Sequence, residues 1–151
     1  MKAKYFLCFA LLALLVAVPA CGKKTLKTEG VSGVVTFDGA PLKGCTVTFV
    51  PAEGSSGVQS YGTTNDAGEY KLQTMLGKAD AGTTPGEYKV SFQCFETFET
   101  GKTITDDEGN SVPETDSRSI LPQKYCDSKT SGQTATVVKG NNTFNFDLTS
   151  N

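Results

Sequence analysis

The chain has no histidine and no tryptophan in its 151 residues, and only two methionines. Without imidazole the commonest general base is missing, and with it the serine, cysteine and metal machinery built on that ring. Carboxylate pairs alone could cleave a glycosidic bond, but nothing in the sequence places two of them in one concave site, so the chain reads as non-enzymatic. Basic charge is scarce as well: fourteen lysines and arginines face sixteen aspartates and glutamates, a formal net charge of −2. Only Lys23, Lys24 and Lys27 lie close together. A binder of phosphate backbones needs a basic face, which excludes nucleic acid as a partner. Nowhere does the chain carry a convincing helical period of apolar residues.

Lys2 and Lys4 precede an almost unbroken apolar run from Phe6 to Val18 that is too short to span a bilayer comfortably. This is the pattern of a secretory signal over residues 1–20. Val18-Pro19-Ala20-Cys21 resembles a bacterial lipobox, in which the cysteine is diacylated and becomes the mature N-terminus. Pro19 departs from the Ala or Ser preferred there, and cleavage after Ala20 without lipidation is the alternative. Residues 21–29 then form the lipidated Cys21 and a polar tether. Lys23, Lys24 and Lys27 act in it as solvated spacers or as a weak attraction to anionic headgroups. Fourteen basic residues less Lys2 and Lys4 leave twelve against sixteen acidic ones, a mature net charge of −4. The expected address is the cell envelope, with the lipid in the membrane and the domain facing the periplasm or the exterior.

Residues 30–151 alternate with a period of two, as strands with one buried face do. Val31, Gly33, Val35 and Phe37 share a face, and so do Cys45, Val47 and Phe49 after a connection through Asp38-Gly39, Pro41 and Gly44, which suggests an opening hairpin. Val58 to Thr64 and Glu69 to Met75 read as a second hairpin about Asn65-Asp66-Ala67-Gly68. Tyr88, Val90, Phe92 and Cys94 form one face of a clean strand. A last hairpin joins Thr134–Lys139 to Thr143–Leu148, and Ile120-Leu121-Pro122 is a short edge or irregular piece. Seven or so short strands argue for an all-β sandwich or barrel.

From Glu96 to Arg118 the alternation lapses. Glu96, Glu99, Asp106, Asp107, Glu108, Glu114 and Asp116 there face only Lys102 and Arg118. So long a polar loop is functional or poorly ordered, and a small hairpin about Asp107-Glu108-Gly109-Asn110 can form within it. The acidic run Asp106-Asp107-Glu108-Gly109-Asn110 lacks the alternate-residue spacing of a calcium loop, so it reads as a solvated face and no metal or other cofactor is expected. Three cysteines beyond Cys21 remain in the mature chain, in an oxidising compartment where pairing is the default. Cys45 reads as a small core residue. Cys94 and Cys126 border the acidic segment, and a bridge between them would contribute about 3 kcal/mol by constraining the unfolded chain.

A family resemblance rests on several of these segments in order: Val31-Ser32-Gly33-Val34-Val35-Thr36-Phe37-Asp38-Gly39, Val47-Thr48-Phe49-Val50-Pro51, Thr64-Asn65-Asp66-Ala67-Gly68-Glu69-Tyr70, Pro85-Gly86-Glu87-Tyr88-Lys89-Val90, Pro122-Gln123-Lys124-Tyr125 and Asn142-Thr143-Phe144-Asn145-Phe146-Asp147-Leu148. Together they resemble the carboxypeptidase regulatory-like, transthyretin-like domain, in particular the small lipoproteins of that family abundant in planctomycete bacteria. Gln133, where a Leu is usual, and Cys126, where an Asn is usual, depart from the pattern. The resemblance implies a seven-stranded transthyretin- or prealbumin-like β-sandwich and no activity of its own. The enzymatic hydroxyisourate hydrolases of this fold rely on histidines, which this chain lacks, and the peptidases that name the domain carry their zinc ligands in a separate catalytic domain. The expected function is that of a non-catalytic envelope lipoprotein for adhesion, scaffolding or partner binding, its partner an envelope protein or polysaccharide. The alternative is a carbohydrate-binding module, for which Phe95, Phe98 and Tyr61 are the candidates for an aromatic platform.

Overall fold

A computed structural model describes residues 26–74 and 82–151. The proposed leader of residues 1–20 and Cys21 lie outside the described residues. No helix among those described is long and apolar enough to cross a membrane.

The fold is all-β, with twelve strand segments and one helical turn among the described residues. The strands are β1 (Val31–Phe37), β2 (Ala40–Pro41), β3 (Thr46–Pro51), β4 (Ser60–Thr63), β5 (Glu69–Lys71), β6 (Gln73–Thr74), β7 (Gly86–Gln93), β8 (Phe95–Thr105), β9 (Ser111–Ser119), β10 (Gln133–Val137), β11 (Asn142–Thr143) and β12 (Phe146–Leu148), and α1 (Gln123–Cys126) follows β9. One sheet is built on β1, with β11 and β12 parallel to it and β2 and β5 antiparallel. A second sheet has the order β10-β7-β3-β4-β6, and β8 pairs with β9 in a third.

The alternating residues face inward as their period requires. Val31 and Val35 from β1, Val47 and Phe49 from β3, and Tyr88, Val90 and Phe92 from β7 are all buried. Rings from the two larger sheets meet across the core, Phe92 and Phe146 at 5.2 Å between centroids and Phe49 and Tyr70 at 6.5 Å. These contacts make the two sheets a sandwich. Glu29 pairs with Thr83 in an isolated bridge, Glu29 N donating to Thr83 O at 2.7 Å.

The partners of the strands differ from the sequence reading. Asp38 and Gly39 both have positive φ, 48° and 81°, and make the tight two-residue turn expected of Asp-Gly. The turn returns the chain only to β2, where Pro41 cannot extend the ladder, and Leu42 to Gly44 then carry it into the second sheet. β1 and β3 therefore do not form a hairpin. The turn at Asn65 likewise passes the chain from β4 to β5 on the opposite sheet, with Asn65 Oδ1 accepting from Ala67 N at 3.0 Å and Glu69 N at 2.9 Å. The closing segments also divide: β10 lies on β7, while β11 and β12 run parallel to β1. Asn142 holds this crossing, its Nδ2 donating to Val138 O and Gly140 O, both at 2.9 Å.

The expected Cys94–Cys126 bridge is overturned. Cys45 is bonded to Cys94, and Cys126 is free and half-buried. β3 and β7 pair antiparallel with Thr46 opposite Gln93, so Cys45 and Cys94 are the next opposed pair, both buried, with Cα atoms 4.4 Å apart. That spacing is typical of opposed residues that exchange no hydrogen bonds. Cys45 instead bonds Thr64 on its other side, through Cys45 N to Thr64 Oγ1 at 2.8 Å and Thr64 N to Cys45 O at 2.9 Å. Cys126 sits on α1 with its Sγ 3.7 Å from Ser119 Oγ.

Candidate functional site

The polar segment read from the sequence as a long loop, with a small hairpin possible about Asp107-Glu108-Gly109-Asn110, is a β-ribbon of two long strands that turns there. Phe95 opposes Ser119, and the pairing continues through Glu99 and Thr115. It resumes at Thr103 opposite Pro113 and runs to Thr105 opposite Ser111. Between these stretches Thr100, Gly101 and Lys102 lie opposite Glu114 alone. The two extra residues bulge outward, with Gly101 at φ 79°. An even insertion preserves the faces, because side chains alternate with a period of two.

The turn is built by one side chain. Asp106 Oδ1 accepts from Glu108 N at 3.0 Å and Asn110 N at 2.8 Å. The Asn110 N–H first, and the other donors with it, hold the Asp106 carboxyl below the usual carboxylate range. The acidic run singled out as a calcium candidate is thus a turn in which Asp106 satisfies its own backbone. Among the described residues, no group of three or more histidine, cysteine, aspartate or glutamate side chains is placed to hold a metal ion.

The ribbon's root is fixed and its body is open. At the root, Ile120 N donates to Cys94 O at 3.1 Å, beside the Cys45–Cys94 bond. Leu121 and Tyr125 bury the departing limb, with the Tyr125 ring edge-on to Phe92. Beyond the root, β8 and β9 pair only with each other among the described residues, and nearly every residue is exposed. One face carries Glu96, Phe98, Ile104, Val112, Asp116 and Arg118. Arg118 lies between its neighbours there, Nε 2.6 Å from Glu96 Oε1 and its guanidinium 5.4 Å from the Phe98 ring centroid. Phe98 is 39% exposed and Ile104 48%. Phe95, 64% exposed, stands on the opposite face with threonine and serine neighbours.

Phe95, Phe98 and Tyr61 therefore do not form a shared platform. The two phenylalanines face opposite ways on the ribbon, and Tyr61 is half-buried on β4 opposite Thr48 in another sheet. An open groove of about 800 Å³ lies over β1 and β5 and is lined by Ser32, Lys71, Gln73, Thr143 and Asn145 among others. The sequence signal for the ribbon was indirect: a long polar segment with a turn sequence at its centre, between the apolar Cys94 and Ile120.

No family model and no curated protein matches the chain. Among solved structures it is similar to a 9R-lipoxygenase from Cyanothece PCC8801, at 12% identity and a TM-score of 0.36. That alignment covers 82% of this chain and 16% of the lipoxygenase chain. A likeness of that extent carries no argument about fold or activity.

Proposed function

We propose that the protein is a non-catalytic lipoprotein of the cell envelope, anchored through Cys21, whose carboxypeptidase regulatory-like sandwich presents the β8–β9 ribbon to a partner in adhesion or scaffolding. The ribbon is the observation that carries this reading. Two-stranded ribbons are marginal in water, and among the described residues this one keeps both faces and both edges uncovered while rooted in a disulfide-braced core. Such an element suits recognition by a stable scaffold more than it suits stability.

The family reading draws support from the strand pattern. Two packed β-sheets with a shared aromatic core are what that family's sandwich requires. The anchor draws its support from the order of lysines, apolar run, small residue and Cys21. Carbohydrate binding is the second reading, favoured by the hydroxyl and amide lining of the groove over β1 and β5, and a glycan array probed with the full chain tests it.

The test of the leading reading replaces residues 96–118 by Asn-Gly, which closes the Phe95–Ser119 pair with a two-residue turn. The intact protein should form cross-linked complexes in the envelope, and the trimmed protein should stay folded and anchored yet lose them. Complexes unchanged by trimming would refute the ribbon as the binding element.

A further inference from the structure

We infer that the partner of the ribbon is a basic polypeptide segment with apolar residues, docked on the face that carries Phe98, Val112 and Ile104. This rests on the reading of the ribbon as the binding element. Residues 95–119 hold seven carboxylates against Lys102 and Arg118, a net charge of −5, whereas the whole chain carries −2. The acidic charge of the molecule is thus concentrated on the one element that touches little else. Asp107 and Glu108 at the turn are exposed, and so is Asp116, opposite Phe98. On the docking face Asp116 and Glu114 flank the apolar residues, while Glu96 is paired with the Arg118 that lies over Phe98, so the first two carboxylates form a charged rim on one side of an apolar anchor.

The chemistry excludes the other occupants in turn. A second copy would set two such negative surfaces against each other, and like charges in close apposition are unfavourable. Strand addition along the edges is opposed by the bulge at Thr100–Lys102 on β8 and by Pro113 on β9, two devices that blunt an edge. An anionic lipid surface would repel the ribbon. A cationic segment gains from the field over the whole ribbon, and its apolar side chains can cover Phe98 and Ile104.

The experiment places a photo-crosslinking residue at position 104, or at position 97 on the opposite face, in the full chain in its native envelope. Mass spectrometry then sequences the captured peptide. The expected result is capture at 104 about tenfold above that at 97, of a peptide with net positive charge. The yield should fall about tenfold when Asp107→Lys, Glu108→Lys and Asp116→Lys are combined, and fall similarly on Phe98→Ser. Capture at 104 of a neutral or acidic peptide, a glycan, a lipid or a second copy would overturn the basic partner while leaving a binding ribbon in place. Absence of capture at both positions would overturn the two readings together. A yield unaffected by the charge reversals would overturn the electrostatic part alone, and with it the inference.

Discussion

Cys45 and Cys94 face each other across β3 and β7, one step beyond the pair Thr46–Gln93, and the bond between them stands at the root of the ribbon. The separation of 49 residues makes the bond a long-loop constraint, worth about 4 kcal/mol through the entropy of the unfolded chain. Peptide mapping of the unfolded, non-reduced domain from Gly22 onward should find Cys45 linked to Cys94 and one free thiol at Cys126. A Cys94–Cys126 peptide would contradict the strand register itself. Cys45→Ala with Cys94→Ala should lower unfolding free energy by a similar amount in chemical denaturation.

Gly33 should tolerate no side chain. A Cβ there would stand 1.8 Å from Phe144 O, a backbone atom whose place is set by Phe144 N to Ser32 O at 2.9 Å and by the Tyr70 hydroxyl donating to Phe144 O at 2.9 Å. Gly33→Ala should cost about 3 kcal/mol or more, measured as a shift in the denaturant midpoint. A near-neutral substitution would mean that β1 and the closing segment do not approach so closely.

Acid should loosen the ribbon's turn before it affects the core. The Asp106 carboxyl is held below its usual range in the folded chain, so its contribution is present above the unfolded value and is lost as pH falls through the folded one. Amide resonances of Glu108 and Asn110 should shift together with an inflection below that of an ordinary aspartate. An inflection at or above the ordinary value would contradict the turn geometry.

The lipid anchor has its own check. Each buried acyl methylene contributes about 0.8 kcal/mol, so two or three chains should keep the protein with membranes through high-salt washing, which screens charges but not hydrocarbon burial. Cys21→Ser should yield unprocessed precursor or soluble secreted protein. A native chain without fatty acid by intact mass would remove the anchor.

The faces of the strands were legible in the sequence, and their partners were not. Cys45, Val47 and Phe49 point inward as their period dictates, as do Tyr88, Val90, Phe92 and Cys94. A period of two says which face is buried but not which strand lies alongside. That is why three segments read as hairpins cross between sheets. It is also why two inward cysteines were not recognised as opposed, since only the β3–β7 register brings them together. The ribbon's length escaped for another reason. Its strands bury little and carry their few apolar residues among charged ones, so the alternation is weak in the sequence, and they are held by the ladder, the Glu96–Arg118 pair and the Asp106 turn. The turn itself was visible as Asp107-Glu108-Gly109-Asn110, because Gly109, at φ 86°, supplies the positive φ a turn needs.

Hydrogen exchange over residues 95–119 tests the central claim most directly, comparing the purified full chain with the same chain in its native envelope. A ribbon awaiting a partner has open edges and little burial, so its amides should exchange fast in the purified protein and slow markedly in the envelope, while β3 and β7 remain protected in both. Equal exchange of the ribbon in the two states would contradict its role as the binding element.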